Sequence, residues 1–512
     1  MSNTAALFNC GAPPRILFQN NQAGEFIMGI YLGFDVGTSS IKAIAIDAGG
    51  TILKTANVPI SMETPLPGYF ETDAENQWLN GFFRAIKALG AENVSNAKGL
   101  CISSVCASFV PIDSGLKPLR NAILYGIDTR AASQIERLNT NLPIDNLVHV
   151  CGSGFTSHSI LPKILWLKEN EPEIYDRTKY FVESSNFISS WLTGEYAWDS
   201  PTAAGAHLLN MQKGEYALDL FAQLGIDQHK FPRLRSPLDQ LGVVQERASS
   251  RTGLPIGIPV SVGACDINAE AFACGSFDPG SLLIVFGSTV STLYTVDSYK
   301  QIPGFLTGPS ILPGTYRLGG ATSSGGRYLE WLNSTIGFND REARIDSSRM
   351  SDLLMVPFLD GARLPYQNTE YRVLWYGMNS STTKEDFWRA GAEAIGCEIY
   401  DLCQKLSSIA SVPATANISG GLASNLSFTR IVSNISGLKL NRFRFVNAAY
   451  GDALIALSLQ EGLEKTRLIL ESKRRDVKEV EYIEPDWNLF EAYQKKRTQY
   501  FKALKWISEL KI

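Results

Sequence analysis

Three short stretches of this 512-residue chain place together the residue types that handle phosphate. In the first, Asp35-Val36-Gly37-Thr38-Ser39-Ser40 sits between the apolar runs 30–34 and 41–46. A glycine followed by small hydroxyl residues offers backbone N–H groups and hydroxyls together, with no bulky side chain in the way. That surface suits phosphate oxygens. Asp35, directly before the turn, is placed to hold a hydrated Mg2+. An ordinary hairpin with a polar turn fits this stretch equally well when it is taken alone. The second stretch returns to the pattern about 250 residues later, with the apolar run 282–286, the turn Gly287-Ser288-Thr289 and an alternating strand. An imperfect duplication of this kind implies two similar halves, whose turns could grip one polyphosphate from both sides. In the third, Asn417-Ile418-Ser419 runs into Gly420-Gly421, and a bare glycine pair lets a flat ring or a sugar lie against backbone.

Carboxylates at strand ends are the next candidates. Residues 257–264 read as a strand that delivers Asp266 to the start of a helix of small residues, 269–275. Small neighbours let a substrate approach closely, while a helix-capping Asp is the structural alternative. Asp128 and Arg130 follow the short strand 122–125, where α/β proteins place ligands. A helix-start Asp with a surface Arg explains the same residues. His158, just before the helix entered at Pro162, is either a pocket residue or a surface histidine.

The elements that must position these groups follow from periodicity. Runs 30–34, 41–47 and 51–58, bounded by glycines, predict a strand meander. Asp73 is expected to cap a helix over 74–91, with Trp78, Phe82, Ile86 and Leu89 at helical spacing. Long helices are expected at 387–408 and from 447 through 464, and 487–510 is an amphipathic helix expected to pack back on the body. Residues 201–252 carry little chemical signal.

Composition narrows the class. The chain is 45% hydrophobic and 19% charged with net charge −4, which suits a globular protein of two or more domains and makes nucleic acid a poor partner. No apolar stretch approaches the roughly 18–20 residues of a membrane span. The eight cysteines form no CxxC pair and sit mostly in apolar runs, as reduced thiols of a cytoplasmic protein do. The four histidines have no zinc-ligand spacing. Residues 1–27 lack the basic-then-apolar pattern of a leader, and either Met28 is the natural start or 1–27 is a loose extension.

Taken in order, GFDVGTSSIKA, PGYFETDAENQW, AILYGIDTRA, PKILWLKENEPE, LTGEYAWD, GACDINAEAFACG, FGSTVS, PFLDGARLPY, ISGGLASN and AAYGDAL resemble the motif series of the FGGY carbohydrate kinases, in particular their xylulokinase and gluconokinase branch. The resemblance runs from about residue 29 to about 510. It implies an α/β fold of two ribonuclease H-like domains, as in actin-like ATPases, around a central cleft. The implied division is an extension 1–27, an N-terminal domain 28–275, a C-terminal domain 276–475 and a helical tail 476–512. The implied activity is transfer of the γ-phosphate of ATP to a hydroxyl of a ketose, polyol or sugar acid. A small-molecule sugar or polyol is then the partner, ATP and Mg2+ are required, and a homodimer is left open. Residue by residue, Asp266 matches the family's catalytic base. Gly37, Thr38 and Ser39 match the first phosphate loop, and Gly287, Ser288 and Thr289 the second. Gly326 matches a nucleotide-contacting glycine, Gly421 and Asn425 fall on adenosine-site positions, and Asp35 matches the Mg2+-associated carboxylate. The substrate side comprises Cys106, Ala107, Asp128, His158, Asp266 and Ile267. Here the chain departs from pattern: Val105-Cys106-Ala107 stands where xylulokinases carry Gln-Met-His, and the Arg-Glu pair of glycerol kinases is missing. A small, uncharged pocket floor is expected, which argues against glycerol and against a standard D-xylulose site. A binding-only relative of the family is the alternative, and the intact Asp266 and both hydroxyl turns argue against it.

Overall fold

Every residue of Ile30–Val36 is buried, including the polar ones, which is the signature of a strand covered on both faces. A computed structural model describes residues 29–509 apart from 339–344, 369, 412, 445 and 477. The expected loose extension 1–27, the start at Met28 and the end of the last helix at 510 lie outside the described residues.

Ile30–Val36 is the third-from-last strand of a six-stranded sheet. On one side it pairs antiparallel with Ser40–Ile46, which pairs antiparallel with Ile52–Pro59. On the other side it pairs parallel with Ala97–Ser104, then come Pro259–Ser261 in parallel and Gln240–Val243 as an antiparallel edge. A second, seven-stranded sheet repeats the plan. Leu282–Phe286 pairs antiparallel with Val290–Val296, which pairs antiparallel with Tyr316–Ala321. Its other side carries Thr415–Ser419 and Lys439–Phe443 in parallel and Val480–Ile483 as an antiparallel edge. The duplication read from two turns thus extends to two whole sheets. In each, the turn with hydroxyls leaves the C-terminal end of the sheet's first strand in sequence, the end at which parallel α/β sheets bind ligands.

The halves are interlocked by two helices. Ala448–Glu461 belongs by sequence to the second half but lies on the first sheet: a Cβ on Gly33 would sit 2.0 Å from the Ala449 carbonyl oxygen. Asp266–Ala273, from the first half, leads to the second sheet, where Asn417 Nδ2 donates to the Cys274 carbonyl at 2.9 Å and to Ser276 Oγ at 2.8 Å. The two helices cross at Gly451, where a Cβ would lie 1.8 Å from the Ala269 carbonyl oxygen. Only hydrogen fits there, so the small-residue composition of both helices is what allows the halves to meet.

Several elements differ from the sequence reading. The helix over 74–91 is a wide turn, Ala74–Leu79, that continues as Asn80–Leu89; Asp73 does cap it, accepting from the Asn76 N–H at 2.9 Å. The helix expected through 464 ends at Gly462, whose φ of 86° breaks it, and a new helix runs Leu463–Arg475. The last stretch is not helical throughout, because Val480–Ile483 adds a strand to the second sheet before Trp487–Ala492 and Gln494–Glu509. Tyr500 and Leu504 of the final helix are buried in the second core. Among the described residues no helix is long and apolar enough to cross a membrane.

Candidate active site

The first turn is closed by the Gly37 N–H donating to the Ser40 carbonyl at 3.0 Å, the second by the Gly287 N–H donating to the Thr289 carbonyl at 3.0 Å. Ser39 and Ser288, at the two tips, are exposed, and Gly37, Thr38, Gly287 and Thr289 are half-buried. Thr38 Oγ1 donates to Tyr125 Oη at 3.3 Å, which ties the first turn to the Asp128 loop. Helix Gly326–Ile336 starts directly on the second turn: the N–H groups of Gly326 and Arg327 donate to the carbonyls of Gly287 and Ser288 at 2.9 and 3.0 Å. Gly325 and Gly326 press against turn backbone, so side chains there would push the helix off it.

The glycine pair divides its work. Gly420, at φ 89°, backs onto Phe286, whose carbonyl oxygen would lie 2.6 Å from an added Cβ. Gly421 faces open space, with nothing within 4 Å of such an atom. A flat ligand therefore has room against Gly421. Asn425 caps helix Leu426–Ser436 by accepting from the Phe428 N–H at 3.1 Å, and stays half-buried beside this space.

Asp266 opens its helix, and its Oδ1 accepts the Ile267 N–H at 2.7 Å. Desolvation pushes its pKa well above the usual carboxylate range, and the negative neighbours Cys265, Asp35 and Glu270 add to the rise. Asp35 is itself raised by burial, against the pull of Lys42, whose Nζ lies 3.1 Å from Oδ2. Glu270, one helical turn after Asp266, is pushed up to about 7, mainly by burial. Asp35, Asp266 and Glu270 thus share one electrostatic neighbourhood at the end of the first strand. Their hard carboxylate oxygens are the donors that Mg2+ takes, so the residues present fit that ion.

Beside Asp266 lie two thiols. Cys106 Sγ, Cys265 Sγ and an Asp266 carboxylate oxygen are all within 4.8 Å of one another. The backbone brings them together, since Ser104 bridges in parallel with Cys265 just beyond the paired strands. Cys106 and Ile267 are half-buried, while Ala107 is buried in a hydrophobic cluster with Phe109. Arg317 reaches in from the second sheet, its Nη1 donating to Asn268 Oδ1 at 3.0 Å and contacting Cys265 Sγ at 3.7 Å, and its Nη2 donating to the Pro201 carbonyl at 3.1 Å.

Asp128 stands apart from this group. It is wholly buried, accepts from the Phe70 N–H at 2.7 Å and pairs with Arg130 Nη2 at 2.8 Å. Arg130 in turn packs over Tyr69 and Trp166. These partners engage both carboxylate oxygens, so Asp128 anchors the loop. Lys163 of helix Ile160–Asn170 fastens the same loop, donating to the Leu124 and Tyr125 carbonyls at 2.7 Å each. His158 is exposed and lies on Gly126, where even a methyl group would collide with its ring.

Sequence reasoning missed Arg317 and Glu270. Glu270 had a signal, since a residue four positions after Asp266 shares its helix face. Arg317 had none: it sits in an unremarked strand and reaches the site only because the halves interlock.

Two duplicated sheets around a cleft, with a hydroxyl turn on each and a strand-end carboxylate between, define a two-lobed phosphotransferase of the actin-like ATPase type. The chain belongs to the FGGY family of carbohydrate kinases: the family's N-terminal domain matches residues 30–273 and its C-terminal domain residues 282–459. It is an ATP-dependent carbohydrate kinase. A xylulose kinase from Lactococcus lactis is 29% identical over 385 residues, spanning 72% of this chain and 75% of the relative. An L-fuculokinase from Escherichia coli O157:H7 is 25% identical, over 80% of this chain and 88% of the relative. The crystal structure of xylulose kinase from Rhodospirillum rubrum superposes with a TM-score of 0.83 at 23% identity, over 94% of this chain and 99% of that one.

Proposed function

We propose that the chain moves the γ-phosphate of ATP onto a hydroxyl of a ketose, polyol or sugar acid, with Asp266 as the general base. Relatives named xylulose kinase and L-fuculokinase favour a ketose. The single observation that carries the assignment of the base is the setting of Asp266, at a helix start beside the Asp35 strand end, where burial first and negative neighbours second raise its proton affinity.

A sugar hydroxyl is a poor nucleophile at neutral pH. A carboxylate in hydrogen-bond reach takes its proton as the oxygen attacks the γ-phosphorus, and a raised pKa makes that carboxylate the better acceptor. Gly37, Thr38 and Ser39 on one lobe and Gly287, Ser288 and Thr289 on the other present N–H groups and hydroxyls to the polyphosphate. Gly326 keeps the helix seated on the second turn, and Gly421 with Asn425 receives the adenosine. Asp35 would hold Mg2+ through water, and the ion, when bound, supplies charge neutralisation on the phosphates. Cys106, His158 and Ile267 lie around the acceptor sugar, and closure of the lobes keeps water from competing. The lobes are 28–275 and 276–475, followed by 476–512. The seven free cysteines among the described residues support a cytoplasmic setting.

The test is ADP release over a panel of ketoses, polyols and aldonates, D-xylulose included. Turnover with one class identifies the acceptor. ATP binding without ADP release on any member would favour a binding-only relative instead.

A further inference from the structure

Neither thiol of the pair beside the base makes or breaks a bond in phosphoryl transfer. We propose that Cys106, Cys265 and Asp266 form a site for one thiophilic divalent cation of the zinc type, and that its occupancy shuts the kinase off.

The ligand set is two sulfurs and one carboxylate oxygen, all within 4.8 Å of one another. A tetrahedral zinc binds sulfur at about 2.3 Å and carboxylate oxygen at about 2.0–2.2 Å, which spaces its ligands about 3.5–3.8 Å apart. Side-chain rotations of about 1 Å therefore suffice to close the site. Two of the three ligands are held in register by backbone: Cys265 is bridged to Ser104, and Asp266 follows it in the chain. Cys106, two residues beyond Ser104, supplies the third. Cys106 and Asp266 are half-buried and so reachable from the cleft, while Cys265 lies behind them. Three protein ligands leave a fourth position for water.

Charge agrees with this reading. Two thiolates and a carboxylate carry three negative charges, Arg317 beside Cys265 returns one, and a dication balances the remaining two. On binding, two metal–sulfur bonds form, and each ligand proton still held at the site breaks away and leaves to solvent. Softness separates this ion from Mg2+: thiolates select zinc and cobalt, whereas the oxygen donors around Asp35 suit magnesium. An ion on the Asp266 carboxylate occupies the lone pair that must accept the sugar proton. That consequence rests on Asp266 being the base; the binding itself does not.

The experiment uses the full chain, reduced and freed of metal, titrated with Co2+ and then Zn2+. One equivalent of cobalt is expected to give a thiolate-to-cobalt charge-transfer band with tetrahedral visible absorption, displaced by one equivalent of zinc. Cys265→Ser and, separately, Cys106→Ser should each weaken cobalt binding by at least about 100-fold, more than the loss of an outer-shell partner does. Cys403→Ser, on the distant helix Lys384–Ser407, should keep the band. With excess Mg2+ present, zinc should stop ADP release and a chelator should restore it. Absence of the band, or its survival in both Cys265→Ser and Cys106→Ser, overturns the site. A normal band with unchanged turnover overturns the inhibitory role; Asp266→Asn, assayed alongside without zinc, shows independently whether the base assignment stands.

Discussion

Arg317 Nη1 donates to Asn268 Oδ1 at 3.0 Å, so a strand of the second sheet grips the helix that Asp266 begins. The segment of the first half that carries Asp266 is thereby held by the second. Replacing Arg317 with Met removes this bond and the one to the Pro201 carbonyl, leaving buried acceptors unpaired at about 1–3 kcal/mol each. A fall in kcat of roughly tenfold or more, with KM for ATP little changed, is expected from steady-state kinetics. Arg317→Lys should recover part of the loss. An equal rise in the KM for ATP would contradict a positioning role.

Asp266→Asn keeps the shape of the side chain and cannot accept the proton. Turnover should drop by about 100-fold to 10,000-fold while the melting temperature and ATP binding stay near wild type. Near-normal turnover in a folded variant rules out Asp266 as the base.

The pH profile should carry the same signature. A base works only when deprotonated, and the Asp266 pKa is raised by desolvation and by Cys265, Asp35 and Glu270. kcat/KM should therefore rise with pH along a limb placed above the ordinary carboxylate range and be lost on the acid side of it. A limb at the pKa of an unperturbed aspartate contradicts the setting described for this carboxylate.

Adjacent glycines should respond oppositely. Gly420→Ala forces a Cβ into left-handed backbone and against the Phe286 carbonyl, costing about 1–2 kcal/mol for the backbone alone, so the protein should melt earlier. Gly421→Phe projects into open space and should leave stability unchanged, while raising the KM for ATP by about tenfold, or about 1.4 kcal/mol. Thermal unfolding and ATP titration of the pair check both halves of the claim.

The interlock makes a stability prediction. Gly451→Ala places a methyl 1.8 Å from the Ala269 carbonyl oxygen and should destabilise by about 1–3 kcal/mol, the cost of overpacking. Denaturant unfolding reads this directly, and a neutral result would mean the two helices part easily.

Local chemistry wrote much of this protein into its sequence. The strand meander, the two glycine-hydroxyl turns, the Gly420-Gly421 bend and an acid at the start of a small-residue helix all follow from neighbours a few positions apart, where periodicity and turn chemistry act. Tertiary structure decided the rest. Asp128 takes its loop-anchoring partners, Arg130 and the Phe70 N–H, from packing that the sequence does not display. Cys106 met Cys265 across about 160 positions, and Arg317 met Asn268 across the cleft. Such partners are chosen by which sheets and helices pack together, and no residue's own type or spacing carries that choice.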